Sequence, residues 1–471
     1  MSLFIRLVRA LWVFGVIFAS YLLHLGLRRI FRRWEVDPES GREVARLPEW
    51  LRRRRRRVDD RNAKRMLRGM LRLRGVYIKL GQVLSIMGGF LPRAYIKELE
   101  SLQDDVPPHS FASVERAFVR EFGKRPGALF ERIAPEPIAA ASLGQVHEAF
   151  MVDGRRVAVK ILYPRIREIV RTDMKVVALA MRAYRLFVPV QNIQQVHGAL
   201  VDLLHRETDY LHEAACMRRM ATNFADEGDI LFPEVVDELT TADILTMTYM
   251  EGVKITRWEE LDRLGVDRRE VATRLVQCFY KQIFVDRFFH ADPHPGNFLV
   301  QAPDASGKAK IVVLDFGAVC EVEGEMVDGM LDVLRGFFEQ DDALVLRGIE
   351  AIGFVAEGGD RSLLDATVKT YFRKLLKVED RTVAGLRNAR LEELEALVDP
   401  ELERHKLREL MRSVRYPEGW FYVERASVLL FWLAGAIDPK LDTLQVGFPY
   451  VLPLLAERTA AAAAGSAAAR A

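Results

Sequence analysis

The 471-residue sequence predicts an α+β chain of two lobes, with a helical extension ahead of the first lobe and a second lobe rich in helix. Three observations predict it. Strand-like runs gather before residue 252, in Val157-Ala158-Val159-Lys160 and over residues 244–250. Helical periodicity dominates from residue 253. Two polar loops, His290 to Asn297 and Asp315 to Gly317, follow short apolar runs in the second lobe and are separated by a strand and a turn. With 50% of its residues hydrophobic, a chain of this length buries a large core divided into two or more domains.

Residues 1–34 read as a membrane-associating segment. Ala10 to Leu27 is almost continuously apolar, with Arg6 and Arg9 before it and Arg28, Arg29, Arg32 and Arg33 after it. As a helix the run reaches roughly 27 Å against a hydrocarbon core of about 30 Å. It therefore spans narrowly or lies in the interface with its arginines among lipid phosphates. A buried helix and a secretory signal compete with this reading, although no small-x-small cleavage site follows the run.

Residues 35–74 form a basic linker or helix with six consecutive arginines, Arg52 to Arg57. The first 80 residues hold 21 Lys+Arg against 7 Asp+Glu, the remainder 48 against 59, so the net charge of +3 hides a basic head on an acidic body. The head calls for an anionic partner, and beside an apolar anchor that partner is an anionic membrane surface. Nucleic acid is not expected, because neither aromatic interleaving nor a nucleic-acid module accompanies the arginines. Cys216, Cys278 and Cys320 lack metal-ligand spacing, which implies a reducing compartment without disulfides or zinc, on the cytoplasmic side of the membrane.

Residues 75–134 form a helical extension in which Lys79 and Gln82 share one helix face while Val76, Leu80 and Val83 form another. The first lobe, residues 135–252, opens with Ala139-Ala140-Ala141-Ser142-Leu143-Gly144-Gln145-Val146, in the place where kinases have a glycine-rich loop over nucleotide phosphates. Ala139, Ala140, Ala141, Ser142, Gly144 and Val146 are the candidate nucleotide contacts. Of the three usual glycines only Gly144 is kept, and methyl groups at 139 and 141 change how backbone approaches phosphate. Lys160 then ends a Val-Ala-Val-Lys strand as the phosphate-pairing lysine. Residues 201–220 read as one helix carrying Glu207, Asp209 and Glu213. A kinase site needs one helix glutamate to fix the strand lysine, and spacing leaves both Glu207 and Glu213 open. Met250 is a further nucleotide contact at the hinge, where Glu251-Gly252 joins the lobes.

The second lobe, residues 253–458, holds His290-Ala291-Asp292-Pro293-His294-Pro295-Gly296-Asn297 and Asp315-Phe316-Gly317. Asp292 and Asn297 have the spacing of a kinase catalytic loop, in which the Asp receives a hydroxyl proton and the Asn holds a metal. Asp315 is the second metal ligand. Transfer from ATP requires Mg2+ held by hard oxygens, which Asn and Asp supply. No Ala-Pro-Glu segment follows Gly317, and residues 459–471 read as a disordered alanine-rich tail.

Taken together, residues 70–440 resemble the UbiB/AarF family of atypical kinase-like proteins. The resemblance rests on Lys79 to Gln82 (Lys-x-Gly-Gln), Ala139 to Val146, Glu207 to Asp209 (Glu-x-Asp), His290 to Asn297 and Asp315 to Gly317. It implies a two-lobed kinase-like fold, Mg-ATP binding, ATPase or unorthodox kinase activity, and a tie to quinone (ubiquinone) biosynthesis or lipid homeostasis. Quinone-biosynthesis enzymes or a lipid-like small molecule are the implied partners. It also implies that the extension carrying Lys79 and Gln82 folds over the site, with Glu207 and Asp209 as partners for the lysine. Two other readings compete with it: a small-molecule phosphotransferase of the aminoglycoside or choline kinase type, which the alanine-rich loop and the Lys-x-Gly-Gln extension disfavour, and a non-catalytic ATP-gated scaffold.

Overall fold

The computed structural model describes residues 3–31, 33–36, 43–86, 92–103, 108–184, 193–305, 307–355 and 417–468. The chain divides into two compact units, Met1–Thr208 with Thr241–Thr246, and Asp209–Thr240 with Met247–Ala471.

The first unit begins with α1 (Leu3–Phe31), a two-stranded antiparallel ribbon of β1 (Arg33–Val36) and β2 (Glu43–Arg46), and α2 (Glu49–Leu73). Helices α1 and α2 pair antiparallel, since Arg6 meets the end of α2 and His24 lies beside Arg54 near its start. Gly69 permits the close approach: a Cβ there would lie 2.8 Å from the Val13 side chain. The inward face of α1 sets buried polar residues, Arg6 and His24, among the buried apolar residues Ala10 and Ile17. Arg6 is buried and ion-paired to Asp173 at 2.5 Å, and it also donates to the carbonyls of Leu73 and Arg74. Burial alone raises the Asp173 carboxyl, and the Arg6 guanidinium opposes that shift. The expectation that Arg6 sits among lipid phosphates is thus corrected, because its charge is neutralised within the protein. Tyr21 donates to Asp59 at 2.6 Å, and Asn62 donates to the Ser20 hydroxyl.

After a turn in which Arg74 and Gly75 both take positive φ, α3 (Val76–Ile86) and α4 (Arg93–Leu99) follow, then α5 (Phe111–Phe122). An antiparallel sheet comes next, formed by β3 (Arg132–Ile133), β4 (Ala139–Ala140), β5 (Gly144–Phe150) and β6 (Arg156–Leu162). Strand β6 is nearly all apolar, and Val157, Val159, Ile161 and Leu162 are buried. Residues 241–246 return beside it, with the Leu162 amide donating to the Asp243 carbonyl at 3.0 Å. Helices α6 (Ile166–Tyr184) and α7 (Ile193–Arg206) complete the unit.

The predicted single helix over residues 201–220 is broken. It ends at Arg206, and α8 (Tyr210–Asn223) starts afresh in the second unit behind Asp209. The Asp209 carboxylate caps α8 by accepting from the amides of Leu211 and His212. Such a side chain satisfies helix-end donors better than it serves mid-helix. A four-stranded sheet in the order β7-β12-β11-β9 follows, built from β7 (Ile230–Leu231), β9 (Val253–Lys254), β11 (Phe298–Gln301) and β12 (Lys310–Val313). Strand β8 (Ile244–Thr248) lies between β7 and β9 in sequence, and β10 (Phe288–His290) pairs antiparallel with β13 (Val319–Glu321). Between β9 and β10 lie α9 (Trp258–Arg263), α10 (Arg268–Tyr280) and a π-helical turn, Lys281–Val285.

Helices α11 (Gly324–Glu339) and α12 (Asp342–Ile352) pack closely, because Gly329 and Gly348 face each other's backbone with no room for a Cβ. The described chain ends with α13 (Trp420–Ile437) and α14 (Thr443–Ala468). The tail predicted to be disordered from residue 459 is helical to Ala468, as alanine's helix propensity favours. The middle of the predicted second-lobe helices, residues 356–416, lies outside the described residues.

Candidate functional site

Two sheet ladders hold the two loops of the second unit together. The loop over residues 291–297 leaves β10 and enters β11, while residues 314–318 leave β12 and enter β13. Since β10 pairs with β13 and β11 with β12, both loops are clamped at both ends. The Ala291 amide donates to the Ala318 carbonyl at 2.8 Å, and the Leu314 amide to the Asn297 carbonyl at 3.0 Å. Inside the first loop, Asn297 Nδ2 donates to the Asp292 carbonyl at 3.0 Å, which fixes the amide so that Oδ1 is the end left for a cation. Asp315 Oδ1 accepts from the Gly317 amide at 3.0 Å. Asp292, Asn297 and Asp315, foreseen from sequence, are therefore brought together by backbone pairing.

His290 is buried, and its Nδ1 accepts from the Asp292 amide at 3.1 Å. Burial lowers its pKa, outweighing the nearby carboxylates, so the ring is neutral and braces the loop. Its own amide donates to Gln282 Oε1 at 2.9 Å, and Gln282 lies on the π-helical turn. Irregular turns of this kind often mark functional positions. Here the turn aims a buried side chain at the loop.

Glu213, fully buried on α8, accepts from the Phe316 amide at 3.3 Å. Sequence left Glu207 and Glu213 as alternatives; the structure ties Glu213 to the Asp-Phe-Gly turn of its own unit. Phe316 is itself fully buried against Phe232 and His290.

Arg425, on α13, was missed. Its Nη2 lies 2.7 Å from Asp292 Oδ2, its side chain is 4% exposed, and that of Asp292 is 16% exposed. Helix α13 is so apolar that one arginine within it reads as incidental. A Glu-Arg pair, Glu424-Arg425, in an otherwise apolar helix was the available signal, since burying either charge demands a partner.

In the first unit, Lys79 on α3 forms an ion pair with Glu207, and both side chains are largely buried. Gln82 Nε2 donates to the Leu102 carbonyl at 3.1 Å. Gly81 between them is a packing residue, because a Cβ there would collide with Leu102 and with Met70 Sδ. The Lys-x-Gly-Gln run thus works as a unit: the lysine pairs, the glycine admits α2, and the glutamine ties the extension to itself. Asp209, the other expected partner, caps α8 instead.

The alanine-rich loop is a tight hairpin. Ala139 pairs with Val146, Ala140 with Gln145, and the Ala141 amide donates to the Gly144 carbonyl at 2.8 Å, leaving Ser142 and Leu143 at the tip. The Ser142 carbonyl comes close to the turn before α3, where a Cβ at Gly75 would lie 3.6 Å from it. Gln145 points away from the tip into the core, where its Oε1 accepts from the His109 amide and its Nε2 donates to His147 Nε2 at 2.8 Å. Lys160 stands opposite Val146 in the β5–β6 ladder. Met250 follows β8, with the Thr248 hydroxyl 3.9 Å from its sulfur. Beside it Gly252, at φ 154°, leaves no room for a Cβ against Leu299 and Val300.

Among the described residues no cluster of three or more His, Cys, Asp or Glu could hold a metal alone. An amide and a carboxylate remain, both hard oxygen donors, and that is the set which suits Mg2+ when phosphate oxygens complete its shell. All three cysteines are buried, and burial pushes the Cys278 thiol up to about 12, so it is inert at neutral pH.

Residues 101–348 match the ABC1 atypical kinase-like domain. The chain is 31% identical over 422 residues to the chloroplastic protein Activity of BC1 Complex Kinase 8 of Arabidopsis thaliana, covering 84% of this chain and 54% of that protein. It is 35% identical over 254 residues to a probable serine/threonine-protein kinase, abkB, of Dictyostelium discoideum, covering 53% of this chain and 38% of that one. The chain thus spans only about half the length of the Arabidopsis protein, 54%. Among solved structures, the Mycobacterium tuberculosis protein Rv3197 in complex with erythromycin aligns with a TM-score of 0.49 at 24% identity, over 84% of this chain and all of that one.

Proposed function

Because this chain belongs to the ABC1 atypical kinase-like family, we propose that it is a membrane-associated, Mg-ATP-dependent atypical kinase or ATPase acting on a small or lipid-like molecule in support of quinone biosynthesis or lipid homeostasis. The observation that carries the reading is the clamped pair of loops, in which Asn297 is oriented by the Asp292 carbonyl and Asp315 by the Gly317 amide. Asn297 and Asp315 would hold Mg2+, which neutralises charge on the phosphates when bound. Lys160 and the 139–146 hairpin would meet phosphate oxygens.

Asp292 positions the acceptor hydroxyl or water. As the acceptor oxygen bonds to the terminal phosphorus, the bond to the bridging oxygen breaks, ADP leaves with the electron pair, and the acceptor's proton passes to Asp292. The Lys79–Glu207 pair and the close approach of Gly75 to the Ser142 carbonyl support an extension that covers the hairpin, which disfavours a polypeptide acceptor.

Mg-ATP-dependent thermal stabilisation and ATP turnover, each measured with and without anionic vesicles, test the reading. Absence of both effects would refute it. A deletion strain's metabolites, read for lost quinone and accumulated precursor, test the pathway.

A further inference from the structure

Helix α1 is amphipathic in the inverted sense. Its polar residues Arg6, Ser20 and Tyr21 face the protein, bonded to Asp173, Asn62 and Asp59. Its outer face carries an apolar stripe at helical spacing that includes Phe4, Val8, Trp12, Leu22, Leu23 and Ile30, with Phe4 72% and Trp12 73% exposed. Among the described residues α1 is one of two helices long and apolar enough to cross a membrane, the other being α13. A span would surround Arg6 and its bonded neighbours with lipid, or break those bonds, and either is costly.

Beside the stripe, α1 and α2 enclose an open groove of about 720 Å³. Its floor includes Trp12 and Val16, and its rim carries Arg9, Arg65, Arg68 and Arg72. The Arg65 and Arg68 side chains bond to neutral groups, the Asn62 carboxamide and the Lys64 carbonyl. Among the described residues, neither of these two nor Arg72 pairs with a carboxylate. Three uncompensated guanidinium groups over an apolar floor that is continuous with an apolar stripe complement one kind of occupant: a phosphate head carrying acyl chains.

We propose that this groove is a phospholipid site, seating the phosphate of a bilayer lipid on Arg65, Arg68 and Arg72 and its chains against Trp12 and Val16, while α1 stays docked and lies flat in the interface. The inference rests on the membrane association put forward above and adds the site and the orientation. At 29 residues α1 is roughly 44 Å long, so lying flat it presents its whole stripe to the lipid. Arginine is suited to the head, since its planar fork matches phosphate oxygens in pairs.

Two measurements on the full chain test this. In the first, flotation on phosphatidylglycerol–phosphatidylcholine vesicles is compared between the wild type and a triple variant, Arg65→Ser with Arg68→Ser and Arg72→Ser. Arg68 and Arg72 are exposed and Arg65 is half-buried against Asn62, so Mg-ATP stabilisation and an Arg68→Ser, Arg72→Ser double variant that leaves the Arg65–Asn62 bond intact serve as controls for folding. The triple variant should partition at least about tenfold more weakly, given the attraction each basic residue adds at an anionic surface. In the second, single cysteines from Phe4→Cys, Gly15→Cys and Ile30→Cys carry a fluorophore, selectively because the native cysteines are buried. Quenching by lipids brominated at different depths should place all three at one shallow level.

Flotation of the triple variant equal to wild type overturns the site. A deep position 15 between shallow ends overturns the flat orientation. Binding of the wild type to DNA as tight as to vesicles, lost in the triple variant, assigns the arginines to nucleic acid and overturns the lipid. A wild type that floats on no vesicle refutes membrane association itself, which is a different result from flotation that ignores the arginines.

Discussion

Arg425 on α13 holds Asp292 on the 291–297 loop through a 2.7 Å contact between Nη2 and Oδ2, with Arg425 almost wholly buried. Removing one partner of a buried pair leaves the other charge uncompensated, which costs about 3 kcal/mol or more. Arg425→Met should therefore lower the melting temperature and cut turnover at least tenfold. Arg425→Lys keeps the charge without the planar fork and should recover stability better than turnover. Pairing Arg425→Met with Asp292→Asn should restore stability but not activity. Calorimetry and steady-state kinetics on the four proteins check this, and equal turnover by wild type and Arg425→Met would remove Arg425 from the site.

Lys79→Ala leaves Glu207 without its ion pair in a largely buried position. The expected loss is about 3 kcal/mol, with faster hydrogen exchange along α3. Adding Glu207→Gln to Lys79→Ala should return part of the stability, because no buried charge is then left over. Unchanged exchange in α3 would show that the pair does not hold the extension down.

Asp315→Asn should abolish Mg-dependent nucleotide stabilisation and turnover, since an amide is a neutral ligand for a cation among phosphates. Its side-chain oxygen can still accept from the Gly317 amide, so the turn should survive. Thermal shift with Mg-ATP, against ATP and chelator, separates these effects. Wild-type stabilisation by Mg-ATP would contradict the assignment.

His147 is fully buried, hydrogen-bonded to the Ala134 carbonyl through Nδ1 at 2.7 Å, and burial lowers its pKa. A histidine depressed on folding adds stability that is complete above its unfolded value of about 6.5 and is lost as pH falls through the folded value. His109 and His290, also lowered by burial, act in the same direction. Stability should fall between roughly pH 6.5 and 5, before most carboxylates titrate. Denaturant melts across that range should be shallower in pH dependence for His147→Gln, and an identical slope would exclude His147 as a contributor.

The placement of the two loops was legible because it is local. Asp292 to Asn297 and Asp315 to Gly317 carry their geometry in spacing, and the ladders that join them follow from the flanking apolar runs. The residues that act across long sequence distances were not legible. Arg425 lies far along the chain in an apolar helix, and Arg6 looked like a flanking charge until Asp173, 167 residues away, was seen against it. The helix break at Glu207 to Asp209 was a local signal overlooked: an apolar stripe ran through it, yet Thr208-Asp209 before Tyr210 is a helix start. Gln145 is a further case. It lies within the alanine-rich loop without being among the candidate nucleotide contacts, and strand alternation turns it inward to His109 and His147, a structural role that spacing did not reveal.

The separation between Arg6 and Asp173 also sets an order of events during synthesis. Helix α1 leaves the ribosome before α6, and at about 5–20 residues per second its carboxylate partner follows roughly ten to thirty seconds later. Through that interval Arg6 has no carboxylate to pair with, while Asp59 and Asn62 of α2, 38 and 42 residues beyond their partners, engage the polar face of α1. Closure of the first unit around Arg6 is therefore a late event: α1 and α2 pair as a hairpin before Asp173 is made, and the buried ion pair seals that hairpin onto α6 only afterwards.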